Sequence, residues 1–368
     1  MNNFDVAIVG TGIVGAACAA ALSREGLSVV VIDKTGIASG TTAAGMGHIV
    51  VMDDSEAQFA LTHYSQKLWN QLAEELPKNC EYEHCGTIWV AADKEEMAEV
   101  RRKHQFFGGR GIATEILDGM SLREAEPNLA EGLVGGLLVE SDTVVYQLTA
   151  TRYLLEKSGA NLRVCERVIE ISDSGVKLDN GDFISAATTI NAAGTAAAEL
   201  TPQLNIKKRK GHLVITERYE GFVSHQLVEL GYLKSAHGSG SDSVAFNVQP
   251  RSTGQILLGS SRQFGAESTD VDGDIVDRMT SRAFEYMPKL RELTATRVWT
   301  GFRPATPDNL PYIGKIPGFE NVYAAAGHEG LGITTAPGTA QILADQIMCR
   351  APAIDEKPYL PSRELQAL

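Results

Sequence analysis

Residues 4–33 read FDVAIVGTGIVGAACAAALSREGLSVVVID, and the order of residue types in this stretch decides the fold. An apolar strand, Val6 to Val9, runs into Gly10, Gly12 and Gly15, and a small-residue helix follows over Ile13 to Glu25. A second apolar strand, Ser28 to Ile32, ends on Asp33. Gly10 permits a tight turn, Gly12 lets a pyrophosphate approach the backbone, and Gly15 lets the helix pack closely on the strand. Ala16, Ala17 and Ala20 extend that small surface. The free N–H groups at the helix start, at the positive end of its dipole, suit phosphates, and Asp33 is placed to accept ribose hydroxyls. A GxGxxG alone is weak. Here a strand precedes it, a helix follows, and an acid ends the next strand, which is the context a dinucleotide site requires. The alternative is a glycine-rich turn in some other βαβ unit.

Composition narrows the class. The 368 residues suffice for two domains with sizeable cores, and 43% hydrophobic with 21% charged residues is ordinary for a globular protein. A net charge of −13 argues against nucleic acid or an acidic membrane surface as the main partner. Asp5 and three glycines interrupt the first apolar run, and Met-Asn-Asn-Phe carries no basic segment, so neither a signal peptide nor a membrane span is expected. Five cysteines with no CxxC fit a reducing compartment, so the expected location is cytoplasmic or peripheral to the inner membrane. Cys80, His84 and Cys85 lack a second ligand pair and predict no metal site.

Residues 36–52, GIASGTTAAGMGHIVVM, carry few bulky side chains and can thread close to a flat ring system. Helices are expected over Glu56 to Leu76, with Phe59, Leu61, Tyr64, Leu68, Trp69 and Leu72 at helical spacing as core, and over Asp93 to Gly108, Gln147 to Lys157 and Arg278 to Tyr286. Asp179-Asn180-Gly181 marks a hairpin, and Ala187 to Ala193 followed by Gly194 repeats the strand-then-glycine pattern. Strands are expected at Thr87–Ala91, Gly135–Glu140, His212–Thr216, Val244–Val248 and Gln255–Gly259, and an exposed loop at Gly238-Ser239-Gly240-Ser241. Dinucleotide signals thus recur at the start, middle and end. They predict a discontinuous α/β domain over 1–85, 141–215 and 295–368, interrupted by a cap over 86–140 and 216–294 built on an antiparallel sheet.

Two late stretches carry a resemblance. WTGFRPATPDNLPYIG (299–314) and AGHEGLGITTAPG (326–338), the latter leading into a helix expected over Thr339 to Met348, join the N-terminal fingerprint and Asn191-Ala192-Ala193-Gly194. Together they resemble the D-amino-acid oxidase family of flavoproteins, over nearly the whole chain and in the right order. The wording of GHEGLGIT and GTTAAGMGH is most similar to the bacterial branch acting on D-hydroxyproline and opine-like secondary amines. The resemblance implies FAD, hydride transfer from the substrate Cα to flavin N5, and a small D-amino or secondary amino acid of D-hydroxyproline or D-proline type. A residue-level argument agrees with FAD: Gly327, Gly330 and Gly332 precede a helix, and its positive end would stabilise negative charge on reduced flavin. A glycine-rich cap on the last helix is the alternative.

By the same resemblance, Arg303 of GxRP holds the substrate carboxylate, for which a guanidinium fork is well suited. Without that resemblance, a structural ion pair with Asp308 is the plainer reading. Glu329 stands where glycine-oxidase-like proteins carry a second arginine; it would attract an amino group and argues against simple glycine oxidation. The family's covalent members carry a cysteine in the segment that here reads Arg303-Pro304-Ala305-Thr306-Pro307, so FAD is expected to be non-covalent. The expected cofactor contacts are Gly10, Gly12, Ile13, Val14, Gly15, Asp33, Lys34, Thr41, Thr42, Ala44, Gly45, Met46, Val168, Ala193, Gly194, Gly301, Arg303, Gly327, Gly330, Leu331, Gly332, Ile333 and Thr334. His48 is a candidate base, though a lone histidine is more often a satisfied core residue. Phe246 and Gln249, with Tyr232 and Arg262, are candidates to line the substrate pocket, and a sheet face explains the aromatic ones equally well. The expected electron acceptor is oxygen, a quinone or a partner protein, and homo- or hetero-oligomers are both compatible. Two rivals remain: a flavin subunit of a larger dehydrogenase complex, and a glycine- or sarcosine-type oxidase. A non-enzymatic nucleotide-binding module is a third.

Overall fold

A computed structural model describes residues 3–231 and 242–366; Tyr232 and the expected loop at Gly238–Ser241 lie outside them. The chain divides into two units, Met1–Cys80 with Val145–Lys208 and Arg303–Leu368, and Glu81–Val144 with Arg209–Phe302. The divisions expected from sequence, after Cys85, Glu140, Ile215 and Thr294, fall near these but not on them. Two of the four displaced divisions fall within the strands Lys207–Arg218 and Ala295–Ala305, inside which no change of composition marks a boundary.

The first unit is built on an eight-stranded sheet. Its strands run in the order Tyr312–Lys315, Val322–Ala326, Phe183–Asn191, Asn3–Val9, Val29–Asp33 and Asn161–Val164. The last five of these are parallel, and Tyr312–Lys315 closes one edge antiparallel. The hairpin at Asp179-Asn180-Gly181 is present, joining Gly175–Leu178 to Phe183–Asn191. Parallel strands flanked by helices must bury both faces, which is why VAIV and VVVI are continuous apolar runs. The helix Ile13–Arg24 is buried nearly all round, with Ala16, Ala17, Cys18, Ala19 and Ala21 inside. It packs on Gln147–Ser158 and on Gly332–Ile347, and only small side chains allow such close approach.

The last helix differs from expectation. It begins at Gly332, not Thr339, so ITTAPG forms its first turns although Pro337 lies inside. Proline has no N–H to give the carbonyl four residues back. That carbonyl, Ile333 O, instead accepts from the indole Nε1 of buried Trp69, 3.0 Å away, which also reaches Thr334 O at 3.0 Å. Gly338 lies against the helix Glu56–Ala73, where a side chain would begin 2.2 Å from Ser65 Oγ.

The second unit is a mixed eight-stranded sheet, ordered Ala295–Ala305, Lys207–Arg218, Gln255–Phe264, Ser243–Pro250, Gln226–Glu229, Thr87–Ala91, Gly135–Val139 and Thr114–Asp118. Most of the pairing is antiparallel, with one parallel pair between Gln226–Glu229 and Thr87–Ala91. One face buries Ile88, Val90, Leu227, Phe246, Val248, Ile256 and Leu258 under Met279, Ala283 and Tyr286 of the helix Gly273–Tyr286. That helix starts five residues before the expected Arg278, capped by the Asp272 carboxylate.

Candidate functional site

The three glycines of the first turn are glycine for different reasons. Gly10 has φ +117°, and a side chain there would begin 2.4 Å from Ala192 O; at Gly15 it would begin 2.0 Å from Gly10 O. Packing within the protein therefore demands both. At Gly12 a side chain would meet, among the described residues, only Thr42 Oγ1 within 4 Å, at 3.2 Å, and no backbone. It is a cradle that a side chain would fill, and it adjoins a helix start with no side-chain cap and no acid in its first turn. The helices beginning at Glu56, Lys94, Gly119 and Gly273 are capped by side chains, whereas the helix beginning at Gln147 is not, so it is the glycine cradle together with the uncapped start that marks this site. Beyond Ile13, the N–H groups of this helix start beside a glycine cradle fit a pyrophosphate. Thr42 Oγ1 accepts from Ile13 N at 3.0 Å, bringing the Thr41–Ala44 turn onto the helix start. Gly194, at φ +57°, adds the third side, its Cβ position 3.8 Å from Thr41 Oγ1.

Asp33 is arranged otherwise than the sequence implies. Its Oδ2 accepts from Thr11 N (2.9 Å) and Thr11 Oγ1 (3.0 Å), and its Oδ1 from Thr35 N (2.9 Å) and Thr35 Oγ1 (2.8 Å). All four acceptor positions of the carboxylate are occupied. A ribose hydroxyl would have to replace one of the threonine hydroxyls. Lys34, next to it, is solvent-exposed. Val168 has its side chain in the core with Val9 and Val30, so only its backbone is available to a cofactor.

The second glycine segment meets the first. A side chain at Gly332 would come 3.9 Å from Val14 Cγ2, and one at Gly45 would come 2.8 Å from Ile333 Cδ1. Thr334 Oγ1 donates to His48 O at 2.8 Å, and Gln147 Nε2 donates to Gly45 O at 2.7 Å. The structure thus assembles Val14, Gly45, His48, Gly332, Ile333 and Thr334, with Met46 between two of them. Leu331 caps the last helix without a side-chain bond, and no acid occupies its first turn. This open helix start, like the one at Ile13, adjoins a glycine segment and is suited to the electron-rich edge of a flavin. His328 is fully buried, and burial pushes its pKa down to about 3, so it is neutral at any working pH. Its Nε2 lies 3.0 Å from Thr339 Oγ1, tying the loop to the helix.

Arg303 and Glu329 converge on Gly330. A side chain at Gly330 would lie 3.7 Å from Arg303 Nε, so the arginine stem runs across that glycine. Glu329 has φ +49°, donates its N–H to Pro304 O at 3.0 Å, and accepts Gly330 N on its carboxylate at 2.5 Å. The ion pair between Arg303 and Asp308 weighed from sequence is not the arrangement found. Asp308 binds Arg363 at two points, 2.7 and 3.1 Å. Burial alone would raise the Asp308 pKa, but Arg363 outweighs it and holds the carboxyl below its usual range. Arg363 is also seated over the Tyr312 ring, 4.2 Å from its centroid.

In the second unit, Phe246 is not a pocket residue. It is fully buried in that unit's own core, stacked on Tyr286 at 4.6 Å. Alternation along 246–250 puts Asn247 and Gln249 on the opposite face; the pairing with Gln255–Phe264 shifts register between Val244 and Asn247, so this face is not carried on to Ser243 and Arg262. Gly301 lies in the strand Ala295–Ala305 that ends beyond Arg303. Thr11 and Thr35 carry no signal in the sequence, and for Trp69 the helical spacing predicts a core residue but not its bond to the last helix. Pro337 inside a helical pattern is the one signal that a donor such as Trp69 was needed.

Comparison with known proteins fits this geometry. The family model described as FAD dependent oxidoreductase matches residues 5–346. The chain is 27% identical to a glycine oxidase of Geobacillus kaustophilus, covering 99% of this chain and 98% of that protein. It is 25% identical to an opine oxidase subunit of Rhizobium meliloti, covering 94% of each. The crystal structure of glycine oxidase from Geobacillus kaustophilus superposes with a TM-score of 0.89 at 26% identity, covering 99% of each chain.

Proposed function

The chain belongs to the family of FAD-dependent oxidoreductases, and from that premise we propose that it dehydrogenates a small D-amino or secondary amino acid of D-proline or D-hydroxyproline type. The observation that carries the reading is Arg303 laid across Gly330, two residues before the start of the last helix. A guanidinium so placed suits a carboxylate by a two-point contact. FAD, when bound, supplies the two-electron acceptor. The protein's part is to hold and aim. In this reading Gly12 and the first turn of Ile13–Arg24 hold the pyrophosphate, with Thr41, Thr42, Ala44 and Gly194 beside it. The start of Gly332–Ile347, with Gly45, Met46 and Thr334, takes the ring end. Asp33 takes the ribose by exchanging the Thr11 or Thr35 hydroxyl for a ribose hydroxyl. Arg303 fixes the substrate carboxylate, and Glu329 draws the amino group, favouring a substrate whose nitrogen is the part to be positioned. His48 contributes its backbone carbonyl; a role for its ring rests on the resemblance alone.

A second reading, that the chain is the flavin subunit of a multi-subunit amine dehydrogenase, is favoured by its similarity to an opine oxidase subunit. Both readings are tested by one screen. The purified yellow protein is mixed anaerobically with D-proline, 4-hydroxy-D-proline, sarcosine, glycine and an opine. Bleaching of the flavin band by the proline compounds, fastest of the set, is the expected result. Bleaching by glycine and sarcosine alone would replace this substrate class with the glycine-oxidase one. Bleaching by the opine alone would favour the subunit reading.

A further inference from the structure

Within the first unit, the helix Glu56–Ala73 lays one face against the last helix, Gly332–Ile347. Leu61, Ser65 and Trp69 recur every fourth residue on that face, and each is at most 1% exposed. A side chain at Gly338 would begin 2.2 Å from Ser65 Oγ and 3.2 Å from Leu61 Cδ1, so glycine is what lets the two helices close this far. At that separation the Trp69 indole reaches the first turn of the last helix. Its Nε1 donates to Ile333 O and Thr334 O, each at 3.0 Å.

The peptide that receives this bond is one of those at the open helix start. The first hydrogen bond of the helix runs from Thr335 N to Leu331 O at 2.8 Å, so helix geometry gives the N–H groups of Gly332, Ile333 and Thr334 no carbonyl of the helix to bond. Thr334 N–H and Ile333 O are the two ends of a single peptide plane. Pro337 has no N–H for Ile333 O, so hydrogen bonds within the helix would hold that plane at neither end. Trp69 holds it at the carbonyl end. A carbonyl that accepts a bond also polarises its own peptide, which makes the N–H at the other end a stronger donor.

We infer that Trp69 is a positioning residue for the flavin: by fixing the peptide between Ile333 and Thr334 it keeps a donor in place at the start of the last helix, and so strengthens FAD binding and favours the reduced, negatively charged cofactor. The inference rests on the reading that this helix start takes the ring end of FAD, and goes beyond it by assigning a residue that acts through the backbone of the turn. Removing the indole N–H leaves Ile333 O without that donor, and the turn recovers one only by moving.

The test uses the purified, FAD-loaded full chain and three variants. Trp69→Phe keeps a buried ring and removes the N–H, Pro337→Ala supplies a backbone N–H to Ile333 O, and the third carries both changes. Trp69→Phe should speed amide hydrogen exchange over residues 332–336 by about tenfold or more and raise the FAD Kd by about tenfold. It should also lower the flavin midpoint potential by about 30 mV, a tenfold greater loss for the reduced than for the oxidised form. Pro337→Ala alone should stay near wild type. The double variant should return all three readouts toward wild type, because the alanine N–H replaces the indole. Should Trp69→Phe alone fail to fold, recovery of folding, Kd and potential in the double variant carries the same meaning. A loss of affinity that Pro337→Ala does not relieve would make Trp69 ordinary packing and overturn the inference, as would a double variant that does not fold. Unchanged exchange in Trp69→Phe would overturn the inference and leave the ring-end reading standing. Faster exchange with unchanged Kd and potential would remove the ring-end reading together with the inference.

Discussion

Gly12→Val should purify as a colourless protein, with flavin content below about one-tenth of wild type, a loss of at least about 1.4 kcal/mol in cofactor binding. The expectation comes from the contrast among the three glycines. Gly10 and Gly15 are pressed by neighbouring backbone, so substitutions there would damage the fold as well as any site. Gly12 meets only Thr42 Oγ1, so the fold tolerates a small side chain there far better than a bound pyrophosphate would. A branched side chain at the helix start fills the cradle and shields the N–H groups behind it. The fold should survive, since a poorer residue at this cap costs on the order of 1 kcal/mol. The wild type, with no cysteine in the 303–308 segment, should release its yellow colour into the supernatant on acid precipitation. A yellow Gly12→Val protein with normal flavin content would remove Gly12 from the cofactor site.

The first forty residues were legible because their chemistry is local. Strand, glycine turn, small-residue helix and acid lie within one βαβ unit, and each residue type has one dominant physical reason to be there. Legibility failed where the deciding partner is remote. Nothing near Pro337 reveals that Trp69 will satisfy Ile333 O from a distant helix, so the helix start is misplaced from sequence. Nothing near Asp308 reveals Arg363. The Phe246 error has another cause. A strand's side chains alternate, so a core position and one on the other face are separated by a single residue, and an aromatic side chain suits either face. Asp33 ends its strand where the pattern puts it, but its bonding depends on Thr11 and Thr35, whose hydroxyls the motif does not specify.

Arg303→Lys should lower kcat/KM for the amino acid substrate by about 30- to 5,000-fold, the equivalent of roughly 2–5 kcal/mol for removing one partner from a desolvated charged pair. Lysine keeps the charge but loses the planar fork, so KM should rise, and kcat should fall as the substrate Cα is less well aimed. Flavin content and spectrum should remain native-like, because the arginine stem contacts the protein at Gly330, where lysine can follow it. A variant that retains wild-type kcat/KM would make Arg303 structural.

The claim at the centre is that a carboxylate-bearing amine is the reductant and that the carboxylate is what the protein grips. The most direct measurement is the anaerobic rate of flavin reduction in the wild type by D-proline and by D-prolinamide, which differ only in that group. D-proline should bleach the flavin at least about a hundredfold faster at equal, subsaturating concentration, as expected for loss of a charge-assisted pair. Equal rates for the acid and the amide would contradict the account.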